Sequence, residues 1–387
     1  MHKSSKMGVI VVLGTTQTLA WASSYYLAAI LADRIADELG ILSTWFFAAF
    51  SGSLVVAAMV GPHVGRTVDA IGGRGVLIAS NIIFAVGLAA LAFVHSITML
   101  WLAWLVLGVG MGVGLYDTAF ATLGRIYGTE ARSTITGITL IAGFASTVGW
   151  PLTAWGANEL GWRETCLAWA AANVLVGLPL NCLLPRPEKS NGPPEAKVKP
   201  HVPIDKAMLI LGFAFAASWM VVAAMAVHLP RLLEAAGAST LQAVAAGALI
   251  GPAQVGARML EASLLSRWHP IISARLSVAF HPIGAVLLGV FGAVAASSAF
   301  TVLHGAGSGI LTIARGTVPL AMFGAENYGY RLGLLGAPSR IAMAAAPLLF
   351  GILIDRYGAG ALIFSSGLNI VALAALCTLP ARQAKSE

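Results

Sequence analysis

Residues 104–112 read WLVLGVGMG and residues 301–309 read TVLHGAGSG, so three alternate glycines recur with an offset of 197 residues. Other glycines and a proline recur with the same offset or with an offset of 196 residues: Gly237 corresponds to Gly40, Gly324 to Gly128, Gly333 to Gly137 and Pro347 to Pro151. Both glycine stretches lie in long apolar runs, so the repeat predicts two helical membrane bundles of one design. A polar residue that breaks the repeat is therefore a candidate for function.

The composition indicates that the bilayer is the solvent. Hydrophobic residues make up 58% of the chain and charged residues 10%, with a mean hydropathy of +0.84, whereas a soluble domain has roughly 25% charged residues. A helix of about 20 apolar residues crosses a bilayer, and the long runs here do not alternate as barrel strands would. We therefore predict an all-α membrane protein with twelve transmembrane helices, approximately at residues 8–30, 42–63, 75–95, 99–123, 134–156, 165–184, 207–229, 240–263, 272–295, 298–321, 331–353 and 360–380.

The basic residues orient these spans. With both termini inside, 16 of the 23 basic residues fall in cytoplasmic segments, as the positive-inside rule requires. The net charge of +7 is then a signal of topology, and we expect no nucleic-acid partner. Lys3 and Lys6 precede an apolar run too long for a cleavable signal peptide. We expect a monomeric, multi-pass protein of a bacterial cytoplasmic (inner) membrane with both termini in the cytoplasm.

A segment rich in proline and charge lies where the repeat expects the halves to join. It reads PRPEKSNGPPEAKVKPHVPIDK, at residues 185–206, and has the composition of a flexible linker. We predict an N-terminal six-helix bundle at 1–184, a cytoplasmic linker at 185–206 and a C-terminal six-helix bundle at 207–387. Two parallel six-helix repeats are typical of one class of secondary transporter.

The inner end of the second predicted span carries GRTVDAIGGR at residues 65–74. This stretch resembles the loop signature of the major facilitator superfamily, G-x-x-x-D-x-x-G-[RKG]-[RK], and with the twelve spans and the linker the resemblance covers the whole chain. It implies two pseudo-symmetric bundles and transport by alternating access. It also implies that Asp69 caps a neighbouring helix end and, with Arg66 and Arg74, latches the inner side when the protein opens outward. The second repeat has Ser266 in place of Asp69, which puts a second latch in doubt.

A second resemblance points to one branch of that superfamily. Gly161-Trp162-Arg163 after the fifth predicted span, and an arginine in each of spans eight and eleven, are similar to the monocarboxylate and oxalate branch. In that branch cationic residues of these two spans bind substrate carboxylates, and the resemblance gives this role to Arg258 and Arg340. Drug/proton antiporters carry a Gly-Pro pair followed by paired glycines in span five, whereas this chain has Gly149-Trp150-Pro151-Leu152.

Ionisable residues inside spans are costly and commonly functional, and this chain has five: Asp117, Arg258, Glu261, Arg315 and Arg340. Their surplus of one positive charge favours an anionic substrate, because a guanidinium stays charged when desolvated and binds carboxylates bidentately. We expect Arg258 and Arg340 to bind the anion. The first half would contribute neutral polar and aromatic groups: Gln17, Trp21, Tyr25 and Tyr116.

Structural roles remain open for these residues. Arg258 could instead neutralise Glu261 on the same helix face, Arg340 could hold another acid, and Trp21 and Tyr25 could pack between helices.

Arg315 lies at the level of Asp117 in the other half, which predicts an ion pair that forms in one state and breaks in another. Asp117 and Glu261 are candidate proton carriers. Three lone histidines are further candidates, with packing as the alternative: His228, His281 and His304.

We expect no cofactor and no metal. The three cysteines have no metal or disulfide spacing, and the glycine string follows no strand, which excludes a dinucleotide loop. The sequence thus predicts secondary active transport of a small organic anion, coupled to protons, in a lipid bilayer. The alternatives are an exporter of drugs or other toxic small molecules, and a membrane receptor or scaffold without transport. An enzyme has the least support, because no catalytic constellation occurs at an interpretable spacing.

Overall fold

The computed structural model describes residues 5–186 and 202–381, and within these ranges the chain is helical without strands. Most of the predicted linker lies outside the described residues. Within the described residues, eight helical runs are long and apolar enough to cross a membrane. Three of them, Ile97–Glu159, Pro270–Phe323 and Tyr328–Cys377, each contain two predicted spans. The all-helical architecture is therefore confirmed, while the number of twelve spans stays a prediction.

The helices before the linker are α1 (Lys6–Ala22), α2 (Leu27–Leu39), α3 (Ser43–Ile71), α4 (Gly73–Ala92), α5 (Ile97–Gly114), α6 (Tyr116–Tyr127), α7 (Ala131–Ala142), α8 (Ala145–Glu159), α9 (Trp162–Ala172) and α10 (Leu178–Cys182). Those after it are α11 (Lys206–Ala235), α12 (Thr240–Gly247), α13 (Ile250–Ser263), α14 (Pro270–Phe323), α15 (Tyr328–Tyr357) and α16 (Ala361–Cys377). In α14, Gly292 has a φ of 77°. This left-handed conformation, which glycine adopts readily, divides α14 into two arms.

The chain divides into two compact units. The first contains Met1–Leu209 and Phe323–Ala337, and the second contains Ile210–Met322 and Pro338–Glu387. The end of α14 and the first turns of α15 therefore group with the first unit, although the sequence analysis assigns them to the C-terminal bundle. The predicted domain boundaries themselves stay predictions.

Three predicted spans of the first unit are interrupted near their centres. Helices α1 and α2 are separated by a turn at residues 23–26, and α7 and α8 by a turn at residues 143–144. Helices α5 and α6 meet at Leu115, whose backbone is extended. An interruption releases carbonyl groups from their helical hydrogen bonds, and at membrane depth it is tolerated only where the backbone is buried or lines a cavity. Ser23, Ser24 and Leu115 are buried, whereas Phe144 is 46% exposed. The breaks at residues 23–26 and at Leu115 therefore lie in the interior of this unit.

The repeated glycines make the same helix contact in both units. A Cβ on Gly108 of α5 would lie 2.5 Å from the carbonyl oxygen of Ser53 on α3. A Cβ on Gly305 of α14 would lie 3.0 Å from the carbonyl oxygen of Ile250 on α13, and both residues of this contact lie 197 positions after those of the first. Small residues at such contacts let helix backbones approach closely in a membrane. The spacing in the sequence therefore corresponds to a repeated helix contact.

A polar contact between helix ends repeats with the same offset. Arg34 donates to the side chain of Asn158 in the first unit, and Arg231 donates to Asp355 in the second. Each partner of the second pair lies 197 residues after its counterpart. The two units therefore share both an interior packing contact and a contact at their helix ends.

Candidate functional site

An aromatic cluster lies at the breaks of the first unit. The ring of Trp21 lies 5.1 Å from that of Tyr116 and 5.5 Å from that of Tyr25, centroid to centroid. Tyr25 in turn lies 5.3 Å from the ring of Phe50 on α3. Because Tyr116 directly follows the break at Leu115, two interrupted spans bring the predicted aromatic residues together. Phe50 was not anticipated, since one aromatic residue in an apolar helix gives no signal of its own.

Gln17 connects the two interrupted spans beside this cluster. Its Nε2 donates to the carbonyl oxygen of Gly114 at 2.7 Å, where α5 ends. Gln17 Oε1 and Trp21 Nε1 are buried without a hydrogen-bond partner among the described residues. Leaving such an atom unpaired costs about 1–3 kcal/mol. Gln17, Trp21, Tyr25 and Tyr116 thus form one surface that offers an acceptor, a donor and aromatic faces.

The five predicted intramembrane charges are all buried, each being at most 9% exposed: Asp117, Arg258, Glu261, Arg315 and Arg340. Within the described residues, no other aspartate, glutamate, lysine or arginine is buried to this degree. All three buried arginines belong to the second unit. The burial that the sequence predicts for these groups is therefore present in the structure.

Two of these charges lie on α13. The Arg258 Nε donates to the carbonyl oxygen of Gly309 at 3.4 Å, and the Ser273 hydroxyl donates to a Glu261 carboxylate oxygen at 3.5 Å. Glu261 is completely buried. The two contacts place a guanidinium and a carboxylate on α13 against the two arms of α14.

The predicted pair of Asp117 and Arg315 is divided between the two units. Asp117 lies in the first turn of α6, directly after the break at Leu115, where the helix dipole favours a carboxylate. The guanidinium of Arg315 lies 5.8 Å from the ring centroid of Trp219. An ion pair between Asp117 and Arg315 stays a prediction.

Asp69, at the end of α3, caps the start of α15. Its two carboxylate oxygens accept hydrogen bonds from the backbone N–H groups of Gly329 and Tyr330, each at 2.8 Å. The first turn of a helix has unpaired N–H groups and a partial positive charge. The contact is therefore a charge-assisted helix cap.

Arginines surround this cap. Arg66 lies over the ring of Tyr330, with 3.9 Å from the guanidinium carbon to the centroid, and donates to its hydroxyl. Arg125 of α6 donates to the backbone carbonyl of Asp69. Arg74 is half-buried at the start of α4 and makes no such hydrogen bond within the described ranges. Arg125 was not predicted at this cap, because in the sequence it is one more basic residue near the end of a predicted span.

Helices α3 and α15 approach closely beside the cap. A Cβ on Gly65 would lie 2.1 Å from the carbonyl oxygen of Gly329, and a Cβ on Gly333 would lie 2.6 Å from that of Gly61. Only glycine permits contacts of this kind. These contacts explain why the first turns of α15 group with the first unit.

The Gly161-Trp162-Arg163 stretch joins helix ends. Arg163 donates to Glu38 at 2.7 Å and to the carbonyl oxygen of Ala92, at the end of α4, at 2.6 Å. Trp162 donates through its indole nitrogen to Glu38. The hydrogen bonds from Arg163 and Trp162 lower the pKa of Glu38, which lies in a predicted outer loop, below its ordinary value of 4.5. These contacts give the stretch a structural role at this end of the unit.

The sequence profile described as the Major Facilitator Superfamily matches residues 13–302. The chain belongs to the Major Facilitator Superfamily. Members of this superfamily are transporters, so this chain is a multi-pass membrane transporter of a small-molecule substrate rather than an enzyme. The predicted oxalate and monocarboxylate branch is not confirmed.

One relative in sequence and one solved structure are similar to this superfamily protein over most of its length. An "uncharacterized 38 kDa protein in 23S RNA operon" of Thermoproteus tenax is 28% identical over 350 residues, covering 83% of this chain and 87% of that protein. The human organic anion transporter MFSD10 (TETRAN) has a TM-score of 0.75 at 16% identity, covering 96% of this chain and 99% of that one.

Two symporters are similar in structure as well. The proton:xylose symporter XylE has a TM-score of 0.76 at 10% identity, covering 99% of this chain and 98% of that one. The E. coli fucose:proton symporter FucP has a TM-score of 0.70 at 16% identity, covering 97% and 99%. At these identities the likeness shows the fold alone.

Proposed function

We propose that the chain is a secondary active transporter of a small organic anion, working by alternating access and coupled to protons. The observation that carries this proposal is the set of buried charges, three arginines against two carboxylic acids. With both acids ionised the set has a surplus of one positive charge. A substrate carboxylate balances that charge, and guanidinium groups bind carboxylates with two parallel hydrogen bonds.

Arg258 and Arg340 bind the carboxylate in this proposal. The other residues that we propose to bind substrate are Gln17, Trp21, Tyr25 and Tyr116, which form the aromatic surface of the first unit. Two observations support a binding role for this surface. It is largely aromatic, and its Trp21 Nε1 donor and Gln17 Oε1 acceptor have no hydrogen-bond partner within the described residues. A substrate that forms hydrogen bonds with these two atoms removes the free-energy cost of burying them without a partner.

Asp117 and Glu261 are the carboxylic acids that we propose as proton carriers. Glu261 is fully buried on α13, three residues from Arg258. An anion that arrives at Arg258 changes the electrostatic environment of Glu261, and this change links substrate binding to proton binding. MFSD10 is described as an organic anion transporter, and XylE and FucP as proton symporters.

The contacts around Asp69 form the inner latch in this proposal. Asp69 holds the first turn of α15, Arg66 holds Tyr330, and Arg125 adds a hydrogen bond to the backbone of Asp69. Arg74 contributes positive charge nearby. The distribution of basic residues supports a position of both termini in the cytoplasm. We propose that the protein is a monomer in the cytoplasmic membrane. The comparisons do not favour the alternative of a drug exporter.

A thermal-shift assay on purified protein tests the anion site. A panel of small carboxylates, neutral sugars and organic cations is added to wild type, Arg258→Ala, Arg340→Ala and Arg356→Ala. A bound carboxylate raises the melting temperature, since a ligand at 100 times its Kd stabilises the folded state by about 2.7 kcal/mol. We expect the shift to be lost in the first two variants and kept in Arg356→Ala, because Arg356 is exposed on the same helix as Arg340.

Two outcomes contradict the proposal. A shift with neutral or cationic compounds that the arginine variants retain would exclude an anion site at these residues. For coupling, the purified protein is placed in liposomes that contain a pH dye. Substrate flux should change the internal pH, and robust flux with a flat trace would indicate uniport or anion exchange.

A further inference from the structure

A small polar cavity lies inside the second unit. Its wall comes from α11, both arms of α14, and α16, and it includes Ser218, His281, His304 and Asn369. The region of the cavity that the centre of a water molecule can occupy is about 10 Å³. This is enough space for about one water. None of the five buried charged residues lines it.

The two histidines are joined in a hydrogen-bonded chain. The Nδ1 atoms of His281 and His304 lie 3.1 Å apart, and His281 Nε2 lies 2.9 Å from the Ser365 hydroxyl oxygen. The Ser365 hydroxyl also donates to the carbonyl oxygen of Leu362 at 3.1 Å. Because a carbonyl oxygen only accepts, Ser365 uses its hydrogen there and accepts from His281 Nε2.

When both rings are neutral, the chain of hydrogen bonds assigns the tautomer of each ring. His281 carries its hydrogen on Nε2, so its Nδ1 accepts the Nδ1 hydrogen of His304. His304 is then left with a lone pair on Nε2. In this neutral form, one nitrogen of the pair remains able to take a proton.

Two more polar atoms of the wall need a partner. Ser218 Oγ and Asn369 Oδ1 are buried and have no hydrogen-bond partner in the part of the chain that the structure describes. A single water in the cavity can pair with both, and buried waters typically make about three hydrogen bonds. Because His304 lines the same cavity, such a water can also bring it a proton.

The repeat indicates that the scaffold does not require these histidines. With the offset of 197, His281 corresponds to Phe84 and His304 to Leu107. Both counterparts are completely buried apolar residues of the first unit. Burying an imidazole costs more than burying a hydrocarbon side chain of similar size. Helix packing alone therefore does not account for the pair.

The histidines are the titratable groups of the cavity. Among its described lining residues, none is acidic and none is a lysine or arginine. The wall reaches α13 through Gln254, which donates to Ser308 at 3.0 Å. Other titratable groups on the packed helices also lie outside the cavity wall. The buried or half-buried ones include His228 on α11, Arg258 and Glu261 on α13, Arg275 and Arg315 on α14, and Arg331 and Arg340 on α15.

We propose that His281 and His304 form a proton-binding site that holds one proton between them. His304 Nε2 takes the proton from water in the cavity. As this N–H bond forms, one O–H bond of the water breaks, and the hydroxide that remains takes a proton from the bulk, so that the net change is one bound proton. The Nδ1 hydrogen bond to His281, and beyond it Ser365, stabilises the positive charge. A role of the pair in coupling rests on the proposed function, whereas proton binding does not.

Proton counting on the purified, ligand-free protein tests the site. Proton uptake between about pH 8 and pH 5, the range in which histidine titrates, is compared in wild type and three variants. We expect His304→Gln to take up about one proton fewer and His281→Gln to take up the wild-type number, because the glutamine oxygen still accepts from His304 Nδ1. The double variant should also lack only about one proton.

If the two histidines bound protons independently, His304→Gln and His281→Gln would each take up one proton fewer than wild type, and the double variant two fewer. If neither histidine bound a proton, no variant would differ from wild type. Either pattern overturns the proposal. Ser365→Ala removes no titratable group and covers the case in which the glutamine variants do not fold. It should keep the proton count and move the midpoint of uptake to lower pH by about one unit, since it removes a hydrogen bond to the charged pair. An unchanged midpoint would also overturn the arrangement.

Transport in liposomes tests the coupling role separately. His304→Gln should alter the pH dependence of substrate flux, while His228→Gln should leave it unchanged, because His228 contacts a backbone carbonyl of Pro347 at 2.8 Å instead of another titratable group. An unaltered pH dependence in His304→Gln would overturn the coupling role. If the proton count behaves as expected but wild type moves no anion, the proposed function fails and the proton site stands.

Discussion

At Asp69 the carboxylate faces two backbone N–H groups of α15, and the backbone carbonyl of the same residue faces Arg125. The motif around Asp69 identifies an acid and two arginines in a loop, but it does not contain their partners. The partners of the carboxylate are backbone groups about 260 residues further along the chain. Every helix start offers such groups, so no residue type in the sequence reveals them.

A glycine beside this cap gives a prediction at the scale of one residue. A Cβ at Gly65 would lie 2.1 Å from the carbonyl oxygen of Gly329, so Gly65→Ala should push α3 and α15 apart and weaken the cap. Losing hydrogen bonds to a charged group costs about 1.5–3 kcal/mol. We expect an initial transport rate at least about tenfold lower, with substrate affinity in the thermal-shift assay unchanged.

Gly75→Ala is the matched control for this change. Gly75 lies in α4, and a Cβ there would have no atom within 4 Å. Its transport rate should match wild type. Equal rates for the two variants, or an equal loss of substrate affinity in Gly65→Ala, would contradict the latch.

At the scale of helices, the interruptions were not predicted. The apolar runs at 8–30, 99–123 and 134–156 predict continuous spans, whereas the structure divides each of them. Proline does not mark the breaks, since Pro62 and Pro151 lie inside helices. The break at Leu115 depends instead on a tertiary contact, because Gln17 pairs with the carbonyl of Gly114. Such a contact is invisible to any window along the sequence.

A helix-end contact gives a prediction of pH dependence. The pKa of Glu38 is held below 4.5 by Arg163 and Trp162, so its contribution to stability is present above that pH. The contribution is lost as the pH falls through the lower pKa of the folded state. We expect Glu38→Gln to melt at a lower temperature than wild type at neutral pH, and this difference to shrink to zero under strongly acidic conditions. The difference should be small, because the Glu38 side chain is 48% exposed.

Glu159→Gln serves as the comparison in the same melting series. Glu159 is exposed at the end of α8, and its replacement should leave the melting temperature close to wild type at every pH. A Glu38→Gln difference that stays constant from neutral to acidic pH would show that charge on Glu38 does not stabilise the fold.

For the whole molecule, the asymmetry of charge is the main result. The two units share glycine contacts and a polar contact between helix ends at one offset, yet all three buried arginines belong to the second unit. The sequence predicts this asymmetry, because the repeat aligns Arg258 with Gly61 and Arg340 with Phe144. What it does not predict is that residues 323–337 group with the first unit.

A charge swap tests the predicted pairing of Asp117 with Arg315. If Asp117 and Arg315 form an ion pair during transport, Asp117→Asn and Arg315→Gln should each lower the transport rate, and Asp117→Arg combined with Arg315→Asp should restore part of it. The reason is that a pair keeps its attraction when the charges exchange places, whereas one buried charge without its partner is costly. Initial flux in liposomes, normalised to the amount of protein, provides the measurement.

Arg356→Asp combined with Asp117→Arg is the control for the swap. It carries the same net charge as the double exchange but places the acid at an exposed position. It should not restore transport. If the exchange of Asp117 and Arg315 gives no rescue, or if the control rescues equally, the two residues act separately.

The sequence by itself determined that the bilayer is the solvent, that the fold is all-helical and that the chain contains an internal repeat. It also identified the five charged residues that are buried in the structure. Each of these depends on composition or on spacing along the chain, and a bilayer leaves few alternatives for a long apolar run. The tertiary structure decided where spans break, which helix start meets Asp69, and that His281 contacts His304. These features depend on which backbones approach within a few ångströms, and helix packing, rather than any local pattern, sets that approach.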